Sequence, residues 1–452
     1  MGAAATPIQA RQRLTARLAE ARARTDELFA LVRPEALYDR PIPERHRIIF
    51  YLGHFEAFDW NLLGRDLFGL ESFHPQFDRL FAFGIDPVDG ALPSDKPQDW
   101  PARAEVERYN QRIRQTLDAA LALASLDNPE QPLLVNGFLL HVAIEHRLMH
   151  AETLAYMLHH LPPDRKFGLL IVSAPAAPPV APRMVEIPAG TATLGLPRTA
   201  KPPFGWAFGW DSFGWDNEFE EHRVEVPTFE IDAYNVTHGD FLRFVRVGGY
   251  QRRELWTDAD WQCMESRGLE HPFFWTRRGE QWFCRTMFGE VPLPLDWPVY
   301  VSHAEAAAYA WWLRKSLPTE AEFHRAAYAT RDGSERPYPW GHEPPEPRHG
   351  NFDFRQWDPA PVGSHPAGNS AFGVADLVGN GWEWTSTIFG PFPGFQPFPF
   401  YPSYSADFFD GKHYVLKGGS SRTAACLLRR TFRTWYQPHY PYVYATFRCV
   451  AR

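Results

Sequence analysis

The residues best suited to chemistry are three histidines. In the stretch Leu139 to Leu158, LLHVAIEHRLMHAETLAYML, His146 and His150 stand four residues apart. A helix of 3.6 residues per turn sets two such imidazoles side by side on one face. That is metal-ligand spacing: imidazole is a common nitrogen ligand of first-row metals, and a third donor completes a site with open coordination positions. The best outside donor is His54, in the apolar segment FYLGHFEAFDWNLLG. Three imidazoles suit zinc as well as iron. The plainer alternative for any one of them is a hydrogen-bonded core or surface histidine. Glu152 lies about 200° round the helix from His150 and reads as an outer partner or a surface group. Glu145 precedes His146, which is not the order of a zinc-protease HExxH. His159 and His160 are expected to face solvent or the helix C-terminus.

Two helices must present those rings. Leu14, Leu18, Ala21, Leu28 and Leu31 recur at helical spacing and predict an amphipathic helix over Thr6 to Val32. Pro41 and Pro43 punctuate the chain, and Glu44 to Leu70 reads as the second helix, which carries His54. Phe73 to Trp100, rich in Pro, Gly and Asp, reads as a long loop; Ala102 to Leu126 and Gln131 to Leu161 read as the third and fourth helices. Four helices with one long connection predict a bundle whose ligands point inward. The run SAPAAPPVAPR, Ser173 to Arg183, has almost nothing to bury and reads as linker. It separates a bundle over 1–165 from a second domain over 184–452, with 166–183 as the connection. Beyond it come short β-like segments, Gly and Pro turns, aromatic clusters and one clear helix around Ala304 to Leu317. The fold class is α+β.

Composition bounds the function. At 452 residues, 44% hydrophobic and 22% charged, the chain is globular and long enough for two cores. A net charge of −8 supplies no basic stripe for nucleic acid, and no apolar run is long enough to span a bilayer. The four cysteines, Cys263, Cys284, Cys426 and Cys449, lack CxxC spacing, which fits a reducing cytosol. The start of the chain shows no apolar h-region, so no signal peptide is expected and the protein reads as cytoplasmic.

The second half resembles the formylglycine-generating-enzyme, or sulfatase-modifying-factor, superfamily, with a C-type-lectin-like fold. Four landmarks occur in order: LPTEAEF at Leu317 to Phe323, GNGWEWT at Gly379 to Thr385, VLKGGS at Val415 to Ser420, and Phe447-Arg448. The first half resembles a DinB-like four-helix bundle, with HxxxHxE at His146, His150 and Glu152. Joined in this order, the halves resemble the ergothioneine-biosynthesis sulfoxide synthases over essentially the whole chain. That resemblance implies Fe(II) held by His54, His146 and His150, and the use of O2 to join a chalcogen donor to the imidazole C2 of hercynine. It also implies a catalytic tyrosine at Tyr401 in FYPSYS, Tyr404 near the substrate, and Trp435 beside the trimethylammonium group, where an aromatic face attracts a cation. Calcium in the second domain is a further possibility of the family.

Departures from the family bear on the donor. Members using γ-glutamylcysteine follow the tryptophan with an Asp and, four residues later, an Arg; here Tyr436 and Tyr440 stand in those places, and neither neutralises a charged end. Met149 replaces a Gln between the two helix histidines, and Phe81 and Phe83 stand where some cysteine-using relatives carry tyrosines. An aromatic, weakly charged pocket resembles the selenoneine synthase branch, whose donor is a selenosugar; a thiol such as cysteine is the alternative donor. A formylglycine-generating enzyme would need a cysteine pair for copper, where Thr423 and Leu428 stand here. A binding module that has lost the chemistry is the remaining alternative.

Overall fold

The computed structural model describes residues 7–82, 92–124, 133, 137–168, 180–197 and 213–452. Among these the chain forms two compact units. One holds the residues up to 168 together with Phe213; the other holds 180–197 and everything from Gly214 onward.

The first unit is built from α1 (Pro7–Ala30), α2 (Ile48–Asp59), a short α3 (Pro75–Leu80), α4 (Arg103–Leu123) and α5 (Phe138–His160). α1 lies against α5, and α2 lies against both α4 and α5. Leu14, Leu18, Ala21 and Leu28 of α1 are buried, as their period demands. α2 and α5 are the central pair: all but Leu52 and Phe58 of α2, and all but Leu148, Met149 and His160 of α5, are buried. The second expected helix changes character at Trp60, where a π-helical turn runs to Leu67. The expected loop after Phe73 contains α3, which starts where the His74 side chain accepts from the Phe77 N–H and Pro75 occupies the first turn. Buried Asp78 pins α3 by accepting from Tyr109 Oη at 2.7 Å on α4 and from Trp60 Nε1 at 3.2 Å. His159, expected near solvent, is buried, and Lys166 Nζ donates to the Leu158 carbonyl at 2.7 Å, satisfying an end group of α5. Lys166 is itself buried. Most of the Pro and Ala linker lies outside the described residues.

The second unit carries short strands in four small sheets. They are β1 (Met184–Ile187), β2 (Gly190–Leu194), β3 (His222–Val226), β4 (Phe229–Asp232), β5 (Trp275–Arg278), β6 (Gln281–Arg285), β7 (Glu290–Pro292), β8 (Gly381–Ile388), β9 (Tyr414–Gly419), β10 (Thr434–Tyr436), β11 (Ala445–Thr446) and β12 (Val450–Ala451). The sheet orders are β1-β4-β12, β2-β3, β5-β6-β7 and β10-β9-β8-β11. Where one helix was expected, the described residues form four of nine residues or more: α6 (His238–Arg246), α7 (Asp258–Arg267), α8 (His303–Trp312) and α9 (Glu320–Tyr328). Each starts at a Thr or Ser, Thr237, Thr257, Ser302 or Thr319, whose hydroxyl accepts from the backbone N–H three residues on. α8 stops at Trp312 instead of Leu317 because Arg314 takes a left-handed φ of 57° and Ser316 is drawn into a bridge with Val450. Phe323 and Ala327 of α9 close a core over Ile187, Phe229, Ile231 and Leu377.

Buried charges join the four sequence landmarks in two pairs. Glu320, which opens α9, pairs with Arg433 Nε at 3.0 Å and lies 3.7 Å from Lys417 Nζ on β9. Burial lowers the Lys417 amine to about 8, and its donors reach the Phe432 and Arg430 carbonyls at 2.7 and 3.0 Å. Glu383 of β8 and Arg448 form a bidentate pair at 2.6 and 2.7 Å, both fully buried. Gly418 has φ 91°, and a Cβ there would meet the Leu377 carbonyl oxygen at 2.6 Å, so the close approach of these segments requires glycine.

Candidate metal centre

α2 and α5 bring His54, His146 and His150 together. All three are buried, and one ring nitrogen from each lies within 4.8 Å of the others. His146 Nε2 and His150 Nε2 are 3.0 Å apart, the separation of two nitrogens at right angles about an ion roughly 2.1 Å from each. His54 Nδ1 bonds the Phe81 carbonyl oxygen at 2.7 Å and serves as donor there, which fixes the tautomer and leaves the Nε2 lone pair for a ligand. That Nε2 is buried without a hydrogen-bond partner. A buried acceptor of this kind is costly unless something binds it. The residues therefore fit a cation held by three neutral imidazoles. Among the described residues this is the one cluster of three His, Cys or acidic donors with such spacing.

The walls are aromatic. Phe50 stacks on His54 at 4.8 Å, and Phe58 stacks on His146 at 3.4 Å with the planes 8° apart. Gly53 lets the Phe81 ring in, since a Cβ there would fall 2.5 Å from it. Phe58, which lies on His146, is half-buried, as is Met149 one residue before His150. Burial in this dry setting lowers the pKa of all three histidines, His54 to about 4; Arg147 acts in the same direction on His54 and His146, Arg45 on His150, and repulsion from the other triad rings on His146 and His150. Metal-binding histidine must be neutral, so the site is poised for a cation at neutral pH.

The unfolded chain takes up protons on these rings below about pH 6.5, while the folded chain resists until about pH 4 for His54, so stability is lost as pH falls through that window. For His54 alone the loss is on the order of 3 kcal/mol. Urea midpoints of the metal-free protein should fall steadily from pH 7.5 to 4.5, and a flat profile would refute the buried, neutral triad.

Phe83 apart, the remaining site candidates lie in the second unit. Tyr401 and Tyr404 flank and enter a four-residue helix, α10 (Ser403–Ala406), with ring centres 5.5 Å apart. Tyr404 stacks on Trp215 at 4.1 Å and meets Trp435 edge-on at 5.6 Å. Trp435 has one face on Phe389 at 4.1 Å, and Phe408 lies 5.4 Å away. Tyr401, Tyr404 and Trp435 thus share one aromatic cluster. Tyr436 follows Trp435 in β10 and so points to the opposite side of the strand. It stacks on Tyr440 at 5.4 Å with parallel planes. Phe83 lies outside the described residues. Trp382 and Trp384 are buried, and Trp384 Nε1 donates to the Val301 carbonyl at 2.9 Å.

One group escaped the sequence reading. Asp216, Asn217 and Glu218, fully enclosed between Trp215 and Phe219, hold the aromatic cluster in place. Asp216 accepts from Ser405 Oγ of α10 at 2.5 Å, and Ser405 Oγ accepts from Asn217 Nδ2 at 3.0 Å. Glu218 accepts from Arg429 Nε at 2.8 Å and Thr431 Oγ1 at 2.6 Å, while Arg433 Nη1 donates to the Asn217 carbonyl. Burial raises the Asp216 carboxyl to about 6. The signal was a polar triplet set among Trp and Phe, WDNEF, without a neighbouring basic residue.

Comparison with known proteins agrees with this two-part layout. Residues 172–452 match the family of sulfatase-modifying factor enzyme 1-like domains, and residues 17–154 match the DinB superfamily. The chain is 42% identical over 236 residues to "Hercynine oxygenase" of Mycobacterium tuberculosis, covering 52% of this chain and 55% of that one. It is 35% identical over 375 residues to "Hercynine oxygenase" of Mycolicibacterium smegmatis, covering 80% and 81%. It is also 29% identical over 498 residues to "Ergothioneine biosynthesis protein 1" of Neurospora crassa, covering 92% of this chain and 55% of that one.

Proposed function

The chain belongs to the hercynine oxygenase family, with a DinB-superfamily first half and a sulfatase-modifying-factor second half, and on that premise we propose that it joins the sulfur of a thiol to the imidazole C2 of hercynine, using Fe(II) and O2. The observation that carries this reading is the buried, neutral triad of His54, His146 and His150. Iron held there would supply a Lewis acid with open positions and one-electron chemistry toward O2. The balance is simple: thiol S–H and imidazole C–H give way to a C–S bond, sulfur gains one oxygen atom to become a sulfoxide, and the second oxygen atom leaves as water.

The chain's own residues do the rest. The Phe81 carbonyl holds the His54 tautomer, and Phe50 and Phe58 keep bulk water from the rings. The family resemblance assigns Trp435 to the trimethylammonium group, which can donate no ordinary hydrogen bond and is attracted by an aromatic face, and Tyr404 to the neighbourhood of the substrate. Tyr401 is the proton donor at its phenol oxygen; its assignment rests on the family resemblance of FYPSYS. The name of the Neurospora crassa relative, an ergothioneine biosynthesis protein, favours sulfur as the element transferred, so the selenosugar preferred from sequence becomes the second reading. What favours it is the parallel, uncharged Tyr436 and Tyr440 pair, an apt surface for a sugar face.

One assay tests both. Purified protein reconstituted with Fe(II) in air receives hercynine with cysteine, γ-glutamylcysteine or a 1-seleno-N-acetylhexosamine, and products are read by mass. Cysteine is expected to give the hercynine sulfoxide adduct, with γ-glutamylcysteine poorer. Turnover faster with the selenosugar than with cysteine would exchange the two readings, and no product from any donor would end both. Tyr401→Phe should keep its iron while product formation slows or diverts; normal rate and product distribution would remove Tyr401 from the chemistry.

A further inference from the structure

Beneath the histidines, all four long helices of the first unit meet in one charge network. Arg147, the residue after His146, is buried, and its guanidinium donates to Glu56 Oε1 at 3.0 Å, Glu56 Oε2 at 2.9 Å, Asp59 Oδ2 at 2.7 Å and the Phe55 carbonyl at 3.1 Å. A longer contact reaches Thr25 Oγ1 of α1 at 3.3 Å. Glu56 also accepts from Arg114 Nε of α4 at 2.9 Å, and Arg114 continues to Asp26 of α1 at 2.6 Å. The carboxylates follow His54 by two and five residues on α2, and the guanidinium sits one residue from a histidine on α5.

This placement answers a question that the apolar packing leaves open. A helix with one apolar stripe has its rotation fixed by that stripe. α2 and α5 are buried on nearly every face, so burial alone prefers no rotation about either axis. Imidazoles separated by 3.0 Å require one. A planar fork bonded to two carboxylates and a main-chain carbonyl is directional and does not survive a roll of either helix. Buried polar contacts that set register are an attested use of such groups.

We propose that Arg147, gripping Glu56, Asp59 and the Phe55 carbonyl, is a positioning residue that sets the rotation of α2 against α5 and so holds the three histidines at metal-binding geometry. The inference rests on the metal-centre reading of the triad.

The test uses Co(II), whose visible absorption reports coordination geometry, titrated into full-length wild-type protein, Arg147→Lys and Leu154→Ala. Arg147→Lys keeps the charge and loses the fork; it is expected to melt cooperatively, bind Co(II) about 10- to 100-fold more weakly and show an altered spectrum. Leu154→Ala, at a fully buried site on α5, lowers the melting temperature and should leave Co(II) affinity and spectrum as in wild type. Wild-type affinity within twofold and an unchanged spectrum in Arg147→Lys would overturn the inference. So would an equal loss in Leu154→Ala, since the effect would then be general destabilisation. If Arg147→Lys does not fold, Asp59→Asn, which retains an acceptor, is judged by the same criteria. Wild-type protein that takes up no Co(II) would bring down the metal reading itself, a result distinct from failure of the clamp.

Discussion

Replacing His150 by alanine is expected to abolish stoichiometric Fe(II) uptake and reduce product formation to background. The triad has three donors, and with two left the remaining ligands must come from water, which a site walled by Phe50, Phe55 and Phe58 does not favour. The loss should exceed the about 10- to 100-fold in affinity that follows removal of an outer partner. The fold should survive. Burial holds His150 well below its ordinary pKa, so the ring opposes folding wherever the unfolded chain would be protonated. The metal-free His150→Ala protein should therefore resist acid better than metal-free wild type while binding no metal. Iron content by elemental analysis and urea midpoints at pH 5 measure the two halves of this expectation. A variant that keeps full iron content would remove His150 from the ligand set.

What could be read from the sequence was local. The four-residue spacing of His146 and His150 fixes their common face whatever packs around them, and the Leu14, Leu18, Ala21 and Leu28 stripe shows which side of α1 is covered. Pairing with His54 needed only an apolar segment of helical length. The Phe81 carbonyl was out of reach because a main-chain acceptor has no residue type to announce it, and it follows α3, where loop composition hid a helix. Three of the four longer helices described in the second unit were overlooked although their starts are written in Thr237-x-x-Asp240, Thr257-x-x-Asp260 and Thr319-x-x-Glu322. They are short and mostly surrounded by irregular chain, so apolar periodicity had few turns over which to show. The choice between sulfur and selenium is harder still. It falls on Tyr436 and Tyr440, neutral rings whose chemistry suits more than one donor.

The landmark residues of the second unit support a different kind of prediction, one about stability. Replacing Arg448 by methionine is expected to destabilise the protein by about 3–5 kcal/mol. The guanidinium bonds both oxygens of Glu383, at 2.6 and 2.7 Å, and its other donors reach the Ala375 and Asp232 carbonyls at 2.9 and 3.0 Å. Burial pushes the Glu383 carboxyl up, and Arg448 is the chief charge opposing that push. Without it a carboxylate on the central strand β8 is left in a dry interior, beside two unmatched carbonyls. A loss of that size is a large share of the about 5–15 kcal/mol that holds a typical domain together. The penalty belongs to the abandoned charge more than to the lost attraction, so Arg448→Met combined with Glu383→Gln should be clearly more stable than Arg448→Met alone. Urea denaturation followed by tryptophan fluorescence separates these outcomes. A single variant losing less than about 1 kcal/mol, the scale of an exposed pair, would mean that water reaches Glu383 and that this pair does not hold the landmarks together.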